Sequence, residues 1–413
     1  MNSVADDPKA VFIATMARAL HRAGIATDAL EETLDAVAST IGLQVQIFAL
    51  PTNITIAIGD DYNQKTVMLR MQPYRVNLRK ISVLNLIYDD LRAGRIDFSE
   101  ASRLLSDVDI LWPGLSPWLQ VPSLACIGAG VAVLLGAGFR EIAVATLIGI
   151  VIGAIGAFGT KQPVVERLFE VIAAFAGTLI VAGFTKLFGP TNIYIAIVAG
   201  VVVLLPGYSL TLALHELANH NLVAGVSRLG KVLSTLLALG CGALLGFTVV
   251  GPSLLQSGDI HPHPVGATIW FVAVILLSLG ISIELDARAR DFVWVFASSF
   301  VAILTSHIFG SLPVHQVAAF ASAFVCGIVA NLGARFLRVP QPVMLVPALL
   351  VLVPGSLSYE SVLFAFQHNV NTALTFAANA VTAAILLVAG LLLSQLVFPS
   401  SPLRAQTRSV GRR

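Results

Sequence analysis

Two proline-glycine pairs in the most apolar part of the sequence are the positions best suited to hold a small polar molecule. Pro206-Gly207 and Pro354-Gly355 each fall inside an apolar run long enough to cross a bilayer. Proline removes a backbone donor and crowds the preceding turn, and glycine relaxes the chain after it, so each pair predicts a broken helix. A break at membrane depth frees backbone groups for a ligand. The alternative interpretation is a packing kink, which is common in membrane helices.

Polar side chains follow the two pairs. Serine hydroxyls come within the next turn, where they can donate to a carboxylate or accept from an ammonium group. A histidine-asparagine pair then lies fourteen and fifteen residues after each proline. We therefore predict a ligand site at the two breaks, formed by Pro206, Gly207, Ser209, Pro354, Gly355, Ser356 and Ser358 and supported by Asn221, His368 and Asn369.

Three ionisable residues near the apolar runs are candidates for ion coupling. Histidine titrates near neutral pH, and ionisable residues at membrane depth are functional candidates. His215 and Glu216 follow the first break, and the alternative places them on a solvated helix end outside the bilayer. Glu170 stands near the start of another run, and there the favoured interpretation is a side chain that extends toward water beside Arg167. We predict His215, Glu216 and Glu170 as the ion-coupling candidates.

The composition predicts a polytopic α-helical membrane protein. Of the 413 residues, 56% are hydrophobic and 12% are charged, whereas a soluble protein carries about 25% charged residues. From residue 121 onward, ten apolar runs come close to the ~20 residues that a helix needs to cross the hydrocarbon core, and in a bilayer such runs are helices. The predicted spans are 121–139, 141–159, 168–188, 192–214, 231–250, 266–283, 291–309, 316–334, 341–362 and 376–398.

Basic residues in the short loops predict the orientation of these spans. With the N-terminus inside, the inside loops and the tail hold twelve Lys or Arg residues, and the outside loops hold only Arg140 and Lys186. Cytoplasmic loops collect basic residues. The first residues lack the basic region and short apolar core of a signal peptide. We predict a multi-pass protein of the cell (inner) membrane with both termini in the cytoplasm.

An internal repeat divides the membrane part. The two proline-glycine pairs are related by a shift of 148 residues, and the four residues 173–176 recur at 318–321, a shift of 145. Five spans per copy would insert the two copies in opposite directions, and inverted repeats are typical of secondary transporters. We predict a cytoplasmic α+β domain at 1–115, five-helix membrane repeats at 121–250 and 266–398, and a basic cytoplasmic tail at 399–413.

The first 115 residues mix helical and strand patterns. We predict helices at 11–23 and 27–40, the second with Thr27 as its N-cap and Glu31 close to the capping-box position. Strands follow at 43–50, 52–58 and 66–71, and helices at 77–92 and 99–106. His21 is the only histidine of this segment, which has no cysteine. The residues therefore supply no recognisable set of nucleophile and base.

Two other function classes stay open. One is a membrane-bound enzyme with a hydrolase-like N-terminal domain. The other is a small-solute channel, which would favour a polar stripe along one pore over paired helix breaks. No nucleotide-binding Walker motif is present, so an ion gradient is the expected energy source. The net charge of +2 argues against a nucleic-acid partner. We expect no cofactor or metal, and as partners a small-molecule substrate and the lipid bilayer, with a homo-oligomer left open.

The order of short motifs along the chain resembles the bacterial threonine/serine exporter family. The motifs are His21-Arg22-Ala23-Gly24, Thr27, Glu31-Glu32, Val37-Ala38, Gly42-Leu43, Pro51-Thr52, Val76-Asn77-Leu78, Leu205-Pro206-Gly207, Gly225-Val226-Ser227-Arg228 and Val353-Pro354-Gly355. In that family a cytoplasmic N-terminal domain precedes two homologous five-helix halves. The resemblance, which covers about residues 12–398, implies a transporter rather than an enzyme. It implies export of L-threonine, L-serine or related small polar metabolites, driven by the proton motive force.

Overall fold

The computed structural model describes residues 7–60, 63–71, 75–159, 162–251, 265–311, 315–337, 339–367 and 369–399. The chain forms two compact units. The first consists of Met1–Gly114, Leu212–Leu229 and Leu285–Arg288, and the second of Leu115–Thr211, Gly230–Glu284 and Ala289–Arg413. Two short segments far along the chain therefore belong with the N-terminal residues, a feature that the sequence did not indicate.

A three-stranded antiparallel sheet lies in the first unit. Its strands are β1 (Val45–Leu50), β2 (Asn53–Asp60) and β3 (Asn63–Arg70), in the order β1-β2-β3. Ile54 pairs with Ala49 on one side and Leu69 on the other, and all three side chains are buried. Neighbouring positions face the opposite way, so Phe48 and Met68 are exposed. One face of the sheet thus contributes to the core, as period-two alternation predicts.

Five helices complete the N-terminal part of this unit. They are α1 (Pro8–Arg22), α2 (Thr27–Thr40), α3 (Leu78–Arg92), α4 (Phe98–Ser106) and α5 (Val108–Leu111). The prediction of Thr27 as an N-cap is wrong, because Thr27 is the first helical residue and Ala26 occupies the cap without a side-chain bond. The capping-box role of Glu31 is also wrong, since its carboxylate accepts from the backbone N–H of Ala49 on β1. Glu31 thus bonds to a residue distant in sequence and not to the start of its own helix.

Helices make up the rest of the described chain. They are α6 (Gln120–Leu134), α7 (Phe139–Gly159), α8 (Pro163–Arg167), α9 (Phe169–Phe188), α10 (Ile193–Val201), α11 (Gly207–Ala218), α12 (Leu222–Val250), α13 (Ala267–Glu284), α14 (Phe292–Gly310), α15 (His315–Phe336), α16 (Gln341–Leu352), α17 (Gly355–Phe366) and α18 (Val370–Val397).

The described helices fit a chain that crosses a membrane many times. Nine of them, taking α16 and α17 together as Gln341–Phe366, are long and apolar enough to span a bilayer. A tenth span results when Ile193–Leu204 and Gly207–Ala218, which are bent by 56°, are counted as one. The prediction of a mostly helical, polytopic membrane protein with a small sheet near the N-terminus is confirmed.

Glycines let the first two long helices pack closely. A Cβ built on Gly153 of α7 would lie 2.6 Å from the Cα of Val121 on α6. One built on Gly149 would collide with the carbonyl oxygen of Leu124. Real side-chain atoms do not approach this closely, so the two backbones meet where only glycine fits. Small residues at helix interfaces allow such close packing in membranes.

Candidate functional site

Both proline-glycine pairs interrupt a helix in the same way. At the first, α10 continues into a short 3-10 turn that ends at Leu204, Leu205 has extended φ and ψ of −68° and 127°, and α11 begins at Gly207. At the second, α16 ends at Leu352, Val353 is extended with φ and ψ of −68° and 141°, and α17 begins at Gly355. A residue before proline avoids the helical conformation, which explains why Leu205 and Val353 are both extended.

The two breaks contact each other within the second unit. A Cβ built on Gly207 would lie 2.8 Å from both the Cα and the N of Gly355 and 2.9 Å from a methyl group of Val353. A Cβ on Gly355 would lie 3.1 Å from the Cβ of Leu205 and 3.4 Å from the N of Gly207. Helices α11 and α17 therefore start at one point, although 148 residues separate them in sequence.

This contact joins the positive ends of two helix dipoles. The first N–H groups of a helix have no acceptor within it, and an N-terminus carries about half a positive charge. Helix α17 has no side-chain cap, and α11 follows a proline, whose side chain has no hydrogen-bonding atom. Helix N-termini bind carboxylates and other anions. Two such ends at one position therefore favour a negatively charged ligand group.

The three serines predicted to bind a ligand differ in their surroundings. Ser358 is buried, and its hydroxyl donates to the carbonyl oxygen of Pro354 at 3.0 Å. The same carbonyl oxygen also accepts from the backbone N–H of Ser358 at 3.2 Å, so this hydroxyl is engaged at the start of α17. Ser209 and Ser356 lie within the first turn of α11 and α17 and are half-buried.

Two buried hydroxyl groups near the breaks were missed by the sequence analysis. Thr211 is the fifth residue of α11 and Tyr359 the fifth residue of α17, so they occupy equivalent places. They are 2% and 0% exposed, and neither side-chain oxygen has a hydrogen-bond partner in the described part of the structure. A buried polar group without a partner costs about 1–3 kcal/mol. Both positions follow their proline by five residues, so the repeat shift of 148 could have revealed them.

Glu360 is a third residue that the sequence analysis missed. It follows Tyr359 in α17, is half-buried, and is the only Asp, Glu, Lys or Arg in the span Gln341–Phe366. The signal was present in the sequence, because an acidic residue inside an apolar run is a functional candidate by default.

Glu216 lies in the first unit, in a buried ion pair. It is 0% exposed and accepts from Arg228, with Nη2 at 2.7 Å from Oε1 and Nε at 2.9 Å from Oε2. The hydroxyl of Thr27 donates to the same Oε1 at 2.6 Å. Helices α2, α11 and α12 thus meet at one carboxylate. We call Thr27, Glu216 and Arg228 the Glu216 cluster.

The other ion-coupling candidates have different surroundings. His215, beside Glu216, has its Nδ1 3.5 Å from a carboxylate oxygen of Asp28 on α2, and that oxygen also accepts from Asn219 at 3.1 Å. These contacts belong to the first unit. Glu170 is the second residue of α9 and is half-buried. His215 and Glu216 thus belong to the first unit and Glu170 to the second.

A second set of bonds in the first unit holds the segment 285–288 between α13 and α14. Asn77 donates to a carboxylate oxygen of Asp286 at 2.6 Å, and Arg79 is 3.6 Å from the other oxygen. The backbone N–H groups of Leu78 and Arg79 donate to the carbonyl oxygens of Leu285 and Asp286. Hydrogen bonds therefore join the start of α3 to the segment 285–288, just as hydrogen bonds of the Glu216 cluster join α2 to α11 and α12.

The supporting polar residues stand at helix ends. Asn369 is the N-cap of α18 and accepts from the N–H of Thr372 at 3.3 Å. The backbone N–H of Asn221 donates to the carbonyl oxygen of Glu216, in the turn between α11 and α12. His368, the third residue of this set, lies outside the described residues. In the described part, these residues contribute to turns and caps.

Nine or ten candidate membrane spans among the described residues define the class as polytopic helical membrane proteins. A family model described as threonine/serine exporter matches residues 11–250, and another, described as threonine/serine exporter, ThrE, matches residues 268–397. The chain belongs to the threonine/serine exporter family, and this membership supports a membrane transporter rather than an enzyme.

Relatives with curated records include membrane proteins of yeasts. The chain is 25% identical over 375 residues to pheromone-regulated membrane protein 10 of Saccharomyces cerevisiae, covering 87% of this chain and 48% of that protein. The protein of the same name from Debaryomyces hansenii is 26% identical over 373 residues, covering 86% and 36%. The chain thus spans less than half the length of these relatives. No solved structure matches the chain.

Proposed function

We propose that this chain is a secondary transporter that exports small polar metabolites, L-threonine and L-serine foremost, by proton antiport across the cell (inner) membrane. The observation that carries the proposal is the contact between Gly207 and Gly355, which puts two helix starts at one position. Family membership supports the transport reaction, and the chemistry of the breaks supports an amino acid as the ligand.

An inverted repeat accounts for the contact between the breaks. Each of the two family matches contains one of the two helix breaks, and a helix of twelve residues begins at each break. Two five-span copies inserted in opposite directions would place equivalent positions around a pseudo-two-fold axis near the midplane, where secondary transporters bind their substrates. The first copy of the repeat is then 121–250 and the second copy is 266–398.

The ligand groups of a small amino acid suit this site. The N–H groups at the starts of α11 and α17 would donate to the carboxylate, assisted by the hydroxyls of Ser209 and Ser356. Carbonyl oxygens released by the breaks would accept from the ammonium group. The orphaned hydroxyls of Thr211 and Tyr359 would gain partners in a polar substrate. A hydrogen bond to a charged group is worth roughly 1.5–3 kcal/mol, so losing one lowers affinity about ten- to a hundredfold.

We further propose that the N-terminal domain holds the cytoplasmic ends of both membrane copies. Its α2 is bonded to the segment 212–229 through the Glu216 cluster, and its α3 is bonded to the segment 285–288 through Asp286. One segment comes from each copy, so rocking of the copies against each other would load these bonds. In this arrangement both termini are cytoplasmic, and Glu216 couples the domain to the transporter mechanically, with His215 beside it.

Exchange in proteoliposomes tests the proposal. Purified full-length protein is reconstituted with unlabelled threonine inside, and uptake of labelled threonine or serine is followed against empty liposomes. We expect saturable exchange that unlabelled serine inhibits, and accumulation when a pH gradient is imposed. Folded protein that exchanges neither amino acid above the background of empty liposomes would exclude these substrates.

A further inference from the structure

The carboxyl group of Glu360 has no role in the amino-acid site described above. It lies in the middle of α17, five residues after Gly355, which corresponds to about 7.5 Å along a helix axis. The equivalent residue of α11 is Leu212, which is buried and apolar. Glu360 is thus a charge-bearing group in one broken helix that has no counterpart in the other.

No described residue pairs with this carboxyl group through a hydrogen bond or an ion pair. Helix α18 packs along α17 and has no Asp, Glu, Lys, Arg or His from Val370 to Val397. Helix α10 presents one titratable group, Tyr194, whose hydroxyl is 3.3 Å from Oε1 of Gln367 and whose ring stacks on Phe364.

Helix α11 contacts α17 at the break, and the titratable residue in the first turn of α11 is Tyr208. Helix α12 approaches α17 where Gly240 meets Val362 and Phe366, and its titratable residue beside that glycine is the exposed Cys241. On α17 itself, Tyr359 is the other titratable residue. His368 follows eight residues later in the chain and lies outside the described residues.

An unpaired carboxylate is costly to hold in apolar surroundings, whereas the protonated acid is neutral. A carboxyl group without a neighbouring cation is ionised only when water reaches it. Its protonation is then set by the proton concentration on the side of the membrane from which water enters. Intramembrane carboxyl groups in this situation act as proton relays. Because α17 also begins at the ligand site, a proton on Glu360 and a ligand at the break would act on the same half-helix, and their effects must be reciprocal.

We propose that Glu360 carries the coupling proton. The carboxylate takes up one proton from water on the outside and becomes a neutral acid, and it releases the same proton to water on the cytoplasmic side. This inference rests on the proposed function, since it names the ion-coupling residue of that transporter. Glu216, held by Arg228 and Thr27, then has a separate, mechanical role.

The test compares Glu360→Gln, Glu360→Asp and the matched control Glu166→Gln, which changes an exposed residue of α8. Two assays in proteoliposomes separate coupling from binding: threonine exchange without a pH gradient, and accumulation driven by one. We expect Glu360→Gln to keep exchange within about twofold of wild type and to lose gradient-driven accumulation by at least about tenfold. Glu360→Asp should restore part of the accumulation, and the control should retain both activities.

Several outcomes would overturn the inference. If Glu360→Gln still accumulates threonine along the gradient, another group carries the proton. If the folded variant also loses exchange, Glu360 belongs to the ligand site or the core. Infrared difference spectra of the purified protein between acidic and alkaline buffer give a readout that needs no substrate. We expect a protonated carboxyl band that is present in the wild type and absent from Glu360→Gln. Absence of this band from the wild type would refute the inference, even if threonine and serine prove to be the wrong substrates.

Discussion

A Cβ atom placed on Gly207 would stand 2.8 Å from the Cα of Gly355, on a helix that begins 148 residues later. Gly207 has no room for a Cβ in this arrangement, and a Cβ on Gly355 would be in tight contact with the Cβ of Leu205 at 3.1 Å. Two helix starts that touch through their backbones share one electrostatic environment, which neither start would create alone.

Removal of the Tyr359 hydroxyl separates a ligand-binding role from a structural one. The hydroxyl is fully buried without a partner in the described structure, so Tyr359→Phe should leave thermal stability unchanged or raise it by as much as about 1 kcal/mol. If the substrate is the missing partner, the KM for threonine should rise by about tenfold. Thr211→Val should behave in the same way. The measurements are the melting temperature in detergent and exchange kinetics; loss of stability with unchanged KM would contradict the assignment.

Thr27→Val tests how the N-terminal domain is attached. The variant removes a hydroxyl that donates to Glu216 at 2.6 Å inside a buried cluster, and we expect a loss of about 1–3 kcal/mol in local stability. Amide hydrogen exchange of residues 212–229 in the full-length protein should accelerate accordingly. Thr33→Val is the matched control, because that hydroxyl of α2 donates only to the carbonyl oxygen of Ala29. Equal exchange rates in both variants would show that the bond does not hold the segment.

The pH dependence of the first unit should reflect His21. Burial lowers the pKa of its imidazole from the ordinary value of 6.5. The unfolded state therefore binds more protons in the window below about 6.5, so stability falls as the pH drops through that value toward the lowered pKa. Hydrogen exchange of α1, corrected for intrinsic rates, should show this loss, and His21→Gln should abolish it. The exposed His220 serves as control. An unchanged acid response in His21→Gln would assign it to another group.

Large side chains at Gly149 or Gly153 should prevent folding and leave the transport mechanism itself untouched. Both glycines meet the backbone of α6 without space for a Cβ, and overpacking costs typically about 1–3 kcal/mol or more. Gly149→Leu and Gly153→Leu should lower the yield of monodisperse protein in detergent. Gly183→Leu, where no atom stands within 4 Å of a built Cβ, should express normally. Normal yields for all three would contradict the packing argument.

Local patterns predicted the spans and the three strands, because hydrophobic length and period-two alternation are properties of short segments. The breaks at Pro206 and Pro354 were predictable for the same reason, since proline acts on its own turn. The Glu216 cluster was not, because Thr27 and Glu216 are 189 residues apart and nothing local links them. That long-range bond is also why the prediction of a cap at Thr27 failed. Glu360 could have been identified from the sequence by listing the charged residues that lie inside the predicted spans.

The most direct test of the shared site is the threonine exchange rate per folded molecule of Gly207→Ala. The added Cβ would lie 2.8 Å from the backbone of Gly355 and must push the two helix starts apart. We predict at least about a tenfold loss, since one hydrogen bond to a charged group is worth roughly 1.5–3 kcal/mol. Gly355→Ala, which meets the Cβ of Leu205 at 3.1 Å, should lose less, and Gly183→Ala should match the wild type. A wild-type exchange rate for folded Gly207→Ala would show that the breaks are packing kinks and that the ligand binds elsewhere.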